Sequence, residues 1–453
     1  MARLFGTDGV RGIANKDLTA ELAFYLGAAG SSVLAKTAHH KPVILVGTDT
    51  RLSKDMLESA LCAGICATGA TALSVGVIPT PAIAHLTRLY EADAGVMISA
   101  SHNSFEFNGI KFFSNQGYKL SDDTEDEIEA LIKKMKSDPA AADFPVGESL
   151  GTCKKCDSAA EDYLKYLLGA SEVRFEGYKF VLDCANGASS YFSPELFKRL
   201  GAEVIAINNT PDGININRKC GSTHMEMLKE KVVECKADAG FAFDGDADRL
   251  LAVDEEGNMV DGDAVMAILG LYLRKKGLLV KDTIVATKMS NLGLEIFTRE
   301  NGMSLVRTDV GDRYVLEEML RSGYMIGGEQ SGHVILLHNN TTGDGLLTAL
   351  KVATVMAVEK KSLKELASVY KSYPQVLVNA KVRNDLKYKY MEDEDIAKMC
   401  QDIEDEFQGK GRVVIRPSGT EPLVRVMIEG ENYDYLKGRA ELLAALIESR
   451  LGT

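Results

Sequence analysis

Short apolar runs that end in polar loops alternate with helical patterns along most of this chain. A helical stretch from Leu18 to Lys36 precedes a strand from Pro42 to Val46, and a helix from Lys54 to Thr68 precedes Leu73 to Gly76. A helix near Ala82 to Tyr90 then leads to the strand Ala94 to Ile98. Parallel neighbours need long crossovers, so this rhythm predicts a mainly parallel sheet covered on both faces. It restarts after the charged stretch Ser121 to Glu161. Strand Lys179 to Asp183, helix Pro194 to Leu200, strand Glu203 to Ile207, helix Met225 to Cys235 and strand Ala239 to Phe243 form a second unit.

A third unit runs from helix Asp263 to Lys276 through strand Thr283 to Ala286, helix Leu294 to Asn301 and strand Ser304 to Val306. It continues with helix Asp312 to Arg321, strand Tyr324 to Gly327 and helix Gly345 to Lys360. From about residue 370 the pattern changes: strand Gln375 to Val382, an acidic helix over 393–407, strands Arg412 to Ile415 and Leu423 to Ile428, and helix Tyr433 to Leu451. The expected architecture is three consecutive α/β domains with mainly parallel sheets, 1–155, 156–256 and 257–370. A C-terminal α+β domain, 371–453, completes it around a central cleft. No repeat at a fixed period is visible at the level of letters.

The net charge of −13 argues against a nucleic acid as the main partner, though local arginine clusters can still hold small phosphorylated ligands. Met1 to Gly6 contains no apolar stretch of signal-peptide length, and the greasy run Val265 to Leu273 is far shorter than the ~20 residues of a membrane span. The eight cysteines are scattered, as free thiols in a reducing compartment would be, and a cytoplasmic protein without a membrane anchor is expected. Cys153 and Cys156 make one CxxC that no second pair or histidine completes, read here as a chance pair in a linker. Cys62 and Cys66, at helical spacing, read as core.

In open α/β sheets ligands bind beyond the carboxyl ends of the strands. Three such ends carry chemistry. Ser101 lies in Ile98-Ser99-Ala100-Ser101-His102-Asn103, just past an apolar strand. Most serines there are turn formers, and no histidine–acid pair is placed to activate this one. As a phosphoserine, however, it would carry and donate a phosphoryl group, with His102 and Asn103 beside it.

Asp244, Asp246 and Asp248 follow a second strand at i, i+2, i+4, with Arg249 adjacent. Carboxylates packed so closely repel unless a hard cation sits among them. An EF-hand reading fails because Arg249 stands where that loop needs glycine, which leaves Mg²⁺ with an open position for a phosphate oxygen. A solvated acidic turn is the bland alternative.

Gly327-Gly328-Glu329-Gln330-Ser331-Gly332-His333 combines close-approach glycines with groups able to read sugar hydroxyls. Arg416-Pro417-Ser418-Gly419-Thr420-Glu421-Pro422 offers an arginine fork, hydroxyls and a glycine amide, an anion cradle to which Arg425 adds charge; a plain turn is its rival. Arg11 in the glycine-rich turn 5–12 could hold phosphate, and Lys111 is a candidate acid or base if its pKa is lowered.

Together these segments resemble the α-D-phosphohexomutase superfamily, in the family's order from residue 5 to residue 425. Gly328 to His333, Val310-Gly311-Asp312-Arg313-Tyr314-Val315 and Cys220-Gly221-Ser222-Thr223-His224 point to its glucosamine branch. The resemblance implies interconversion of glucosamine 6-phosphate and glucosamine 1-phosphate through a phosphoserine enzyme and a glucosamine 1,6-bisphosphate intermediate, supplying UDP-N-acetylglucosamine synthesis. It implies that Ser101, Asp244, Asp246 and Asp248 bind Mg²⁺, and that Glu329 and Ser331 hold the sugar. Arg416, Ser418, Gly419, Thr420 and Arg425 would bind the non-reacting phosphate. Arg11, Lys111, Arg249 and His333 would surround the reacting phosphoryl, with Lys111 or His333 as proton carrier.

One departure is that Ser104-Phe105-Glu106-Phe107 replaces the proline-led segment usual after Ser-His-Asn, so a less rigid loop is expected there. The rival readings are a phosphomannomutase/phosphoglucomutase, a metal-dependent sugar phosphatase with an aspartyl nucleophile, and a sugar-phosphate-binding regulator without turnover.

Overall fold

The computed structural model describes residues 3–6, 8–138, 144–418 and 421–452. The chain divides into two compact units. One comprises Met1–Thr287 and Thr308–Ser368; the other comprises Lys288–Arg307 and Val369–Thr453.

In the first unit, the amino-terminal sheet runs Val10–Ile13, Phe107–Ser114, Ala94–Ile98, Val43–Thr48, Thr71–Val77, Thr152–Lys155. Its centre is parallel, as the crossover rhythm predicts, because helices Lys54–Ala67 and Thr80–Leu89 return the chain between successive strands. Ala94–Ile98 is buried at every residue, which is why it reads as an unbroken apolar run.

Phe107–Ser114 was not legible as a strand. It pairs antiparallel with Ala94–Ile98 on one side and with Val10–Ile13 on the other. This arrangement sets Lys111 opposite Met97 and Arg11 opposite Gly109, so both cations enter the structure from strands and not from loops.

The charged stretch Ser121 to Glu161, read as a break between units, contains the helix Asp122–Ser137. Ser121 caps it, acidic residues fill its first turn, lysines its last, and Ile128, Ile132 and Met135 face the core. Its apolar residues are too few to stand out among the charges. Cys153 lies on the edge strand Thr152–Lys155, not in a linker, and Cys62 is buried as expected.

A second sheet runs Met259–Val260, Leu250–Asp254, Ala239–Phe243, Lys179–Asp183, Glu203–Ile207. Helix Ser189–Arg199 begins ahead of Pro194, expected at its start; the proline sits inside, where it has no N–H for a helical hydrogen bond. In the third sheet, Thr283–Thr287 is parallel to Ile326–Gly328, which pairs antiparallel with Val334–Leu336. Helix Gly345–Glu359, almost wholly buried and capped by Asp344, packs within this unit.

The second unit is an antiparallel sheet, Gln375–Lys381, Leu423–Glu429, Arg412–Pro417, backed by helices Glu394–Phe407 and Tyr433–Leu451. Helix Leu292–Glu300 belongs to it. The buried Glu429 accepts from Leu292 N at 3.2 Å and Asn291 Nδ2 at 3.2 Å, and also from Arg412. Among the described residues, no helix is long and apolar enough to cross a membrane.

Candidate active site

Ser101 follows the buried strand Ala94–Ile98 with a backbone φ of +52°, a left-handed conformation that a residue with a Cβ adopts at a cost. Its amide donates to Ser99 Oγ at 2.9 Å, and Ser99 Oγ donates in turn to Asp49 Oδ2 at 2.6 Å. Its own hydroxyl donates to Asp244 Oδ2 at 2.6 Å. The serine and the acidic triplet therefore meet directly. Beside them, burial holds His102 as the neutral imidazole, with its pKa pushed down to about 4; Arg249 and Arg11 act in the same sense.

Asp244, Asp246 and Asp248 are buried, and one carboxylate oxygen from each falls within 4.8 Å of the others. Burial, and then the neighbouring carboxylates Asp248 and Asp246, push Asp244 well above the usual carboxylate range. Asp246 goes the other way despite its burial, because Lys111 and Thr80 stabilise its charge: Nζ donates to Oδ2 at 2.9 Å and Thr80 Oγ1 at 2.6 Å. Asp246 Oδ1 and Asp248 Oδ1 are buried with no hydrogen bond among the described residues. An all-oxygen donor set with unsatisfied lone pairs and mutual repulsion fits a hard divalent cation.

A cavity of about 550 Å³ opens on this centre, lined by Arg11, His102, Asp248, Arg249, Glu329 and His333, among others. Asp8, inside the glycine-rich turn, is a junction of cations: it accepts from Arg11, from Lys119 at 2.6 Å, and pairs with Lys111 at 3.0 Å. Lys119 also donates to Asp312 Oδ2 at 2.5 Å. Asp8 and Asp312 lay within quoted motifs without being singled out, and Lys119 had no sequence signal at all.

Lys111 is buried. Desolvation works against its charge, but Asp246, Asp8 and Asp248 prevail and its pKa rises, the reverse of the lowering that a basic role needs. His333 is likewise buried yet raised, with Asp248 Oδ2 at 3.5 Å from Nδ1 and Asp312 Oδ2 at 3.3 Å from Nε2.

The turn after Ile326–Gly328 is pinned from two sides. Gly262 N donates to Gln330 O at 3.0 Å, and Gln330 Nε2 donates to Asp261 Oδ2 at 3.1 Å. Gly332, at φ +95°, lies so close to Leu250 that a Cβ would come within 2.2 Å of that carbonyl oxygen. Glu329 consequently faces the cavity, whereas Ser331 sits exposed on the turn and is not part of the cavity wall.

In the second unit, Arg416 and Arg425 lie directly opposite each other on adjacent strands. Like charges so placed are unfavourable unless an anion relieves them. Arg425 has a carboxylate, Glu421, at 3.5 Å. Ser418 is buried, its Oγ accepting from Glu421 N at 3.2 Å and its carbonyl from Lys387 at 2.8 Å. Gly419 and Thr420 lie outside the described residues.

Four family models match the chain in series: phosphoglucomutase/phosphomannomutase, alpha/beta/alpha domain I over residues 2–139, domain II over 161–257, domain III over 261–373, and the C-terminal domain over 377–446. Phosphoglucosamine mutase of Ruminiclostridium cellulolyticum is 59% identical over 451 residues, covering 100% of both chains. That of Acetivibrio thermocellus is 56% identical over 452 residues, again covering 100% of each. Among solved structures, a phosphoglucomutase/phosphomannomutase family protein of Burkholderia thailandensis superposes with a TM-score of 0.83 at 22% identity, over 99% of this chain and 97% of that one. Aspergillus fumigatus N-acetylphosphoglucosamine mutase, solved with GlcNAc-6P and magnesium, gives 0.71 at 18% identity over 99% and 96%. At these identities the structural matches speak for the fold.

Proposed function

The chain belongs to the phosphoglucomutase/phosphomannomutase family, and from that premise we propose that it interconverts glucosamine 6-phosphate and glucosamine 1-phosphate. Ser101, as phosphoserine, gives its phosphoryl to the free O1 or O6 of the bound sugar phosphate. The sugar oxygen bonds to phosphorus as the Ser101 Oγ–P bond breaks, and the hydroxyl proton leaves. The resulting 1,6-bisphosphate turns over in the site and returns its other phosphoryl to Ser101.

The observation that carries this reading is the contact of Ser101 Oγ with Asp244 Oδ2 at 2.6 Å, beside a cavity lined by Arg11, Arg249, His333 and Glu329. Asp244, Asp246 and Asp248, with the phosphate on Ser101, would hold Mg²⁺, which when bound neutralises charge on the transferring phosphoryl. Arg11 and Arg249 orient the same group. Lys111, held as a cation by surrounding carboxylates, and His333, whose pKa Asp248 and Asp312 raise against burial, are assigned to the phosphoryl and as candidate proton donors to the departing oxygen.

Glu329, on the cavity wall, takes the sugar hydroxyls; Ser331, exposed two residues further along the same turn, would add a second sugar contact only from outside that wall. Arg416, Ser418, Gly419, Thr420 and Arg425 take the phosphate that does not react. Four functional segments, 1–155, 156–256, 257–370 and 371–453, each supply one loop, and the protein works in the cytoplasm on a small phosphosugar. The test is a coupled assay of purified protein on glucosamine 6-phosphate with Mg²⁺, alongside glucose and mannose phosphates. A kcat/KM highest for the amino sugar supports the reading. Release of inorganic phosphate without isomer would replace it with a phosphatase.

A further inference from the structure

Arg51 is among the largest side chains fully removed from solvent, and it does not line the cavity. Its Nε donates to Asp49 Oδ2 at 2.9 Å. The rest of the guanidinium is spent on main-chain oxygens of the serine loop. One terminal nitrogen donates to Ser101 O and Asn103 O, each at 2.9 Å; the other donates to Phe107 O at 3.1 Å and to Ser104 O. Those last two carbonyls bracket the segment Ser104-Phe105-Glu106-Phe107 that stands where the family has its proline-led turn.

Asn217 approaches the same loop from the chain beyond Glu203–Ile207. Its Nδ2 donates to Ser101 O at 2.8 Å and to Asn103 O at 2.9 Å. Gly245, inside the acidic triplet, closes the third side. A Cβ there would lie 2.6 Å from Ser101 O and 2.8 Å from Asn217 Nδ2, so only glycine lets the metal loop come this near.

We infer that Arg51 and Asn217 form a carbonyl clamp that positions the phosphate-carrying serine against the acidic triplet. A carbonyl oxygen has two lone pairs, and at Ser101 each meets a different donor. With that oxygen fixed, the peptide plane after Ser101 is fixed, the left-handed turn is held, and Oγ stays on Asp244. Neither Arg51 nor Asn217 lines the cavity. They are positioning residues that act through backbone, and the buried guanidinium holds by four contacts a turn that proline would stiffen covalently. The inference rests on Ser101 as the phosphate carrier.

The test uses the full chain and three variants, Asn217→Asp, Asn217→Ala and Arg51→Lys, with Ser101→Ala as control. Asparagine and aspartate have the same shape, but a carboxylate replaces the donor with an acceptor facing two carbonyls. For Asn217→Asp the expected result is kcat on glucosamine 6-phosphate down about a hundredfold with KM within about threefold, and about tenfold for Asn217→Ala. The rate at which glucosamine 1,6-bisphosphate phosphorylates Ser101 in a single turnover, followed by peptide mass, should fall in the same proportion.

Arg51→Lys keeps the charge but loses the fork, and should cost more than Asn217→Ala. If it fails to fold, the Asn217 pair decides alone. A folded Asn217→Asp protein with wild-type Tm, kcat and phosphorylation rate overturns the clamp. So does a kcat loss wholly explained by a smaller folded fraction. Turnover surviving in Ser101→Ala removes the serine reading itself, and the clamp with it; an inactive Ser101→Ala beside unaffected Asn217 variants removes the clamp alone.

Discussion

The loop after strand Ala94–Ile98, with Ser101, and the end of strand Arg412–Pro417, with Arg416, both gather polar groups, yet they are built differently. At Ser101 nearly every polar atom is committed: hydroxyl to Asp244, amide to Ser99, carbonyl to two donors. At Arg416 the arrangement is two arginines at opposite positions on neighbouring strands, with a carboxylate at 3.5 Å from Arg425. Bond-making needs atoms held in place before the ligand arrives, whereas gripping a phosphate that does not react needs charge and some adaptability. On the proposed function, the contrast would separate a reacting end from a holding end.

The most severe way to break that contrast is at the serine. Ser101→Ala should lower isomerisation by at least about 10⁴-fold, measured in the coupled assay, with binding of glucosamine 6-phosphate by calorimetry largely kept. Next comes the acidic triplet: stripping divalent cations with a chelator, or Asp246→Asn, should lower kcat by about 10²–10³-fold, and added Mg²⁺ should restore only the chelated wild type.

Arg416→Ala should act mainly on KM, raising it about 10- to 100-fold, with Arg425→Ala weaker. If Arg416→Ala instead reduced kcat as Ser101→Ala does while leaving KM alone, the division between the two ends would be wrong.

The smallest effect concerns stability. Burial raises Asp344 to about 6, against the hydrogen bonds from Leu347 N, Tyr163 and Asn340 that favour its charge. A carboxyl raised on folding binds more protons in the native state, so its contribution is greatest below about pH 4 and is lost as pH rises through 6. Asp344→Asn should flatten Tm against pH across that window, by a few degrees in calorimetry.

The placement of the serine and acidic loops was largely legible because they sit at the ends of apolar strands: Ala94–Ile98 and Ala239–Phe243 were read with these same limits, and Ser101 and Asp244 follow. What escaped was pairing between distant segments. Val10–Ile13 and Phe107–Ser114 carry Arg11 and Lys111 side by side, but glycine and lysine within them mask the strand pattern. Lys119 and Arg51 had no motif around them; each owes its role to partners far along the chain, Asp312 in one case and the serine loop in the other. The expectation of a looser turn at Ser104 came from side-chain identity alone, and Arg51 supplies contacts to that turn which no local pattern reveals.

The excursion of Lys288–Arg307 into the carboxyl-terminal unit has a consequence for anyone cutting this polypeptide into pieces. A recombinant fragment starting at Val369 would look complete on a linear map, but it would lack Asn291 and Leu292, which donate to the buried Glu429. Its sheet would be left with a half-satisfied carboxylate. Swapping this terminus between relatives therefore requires transplanting two stretches of chain together.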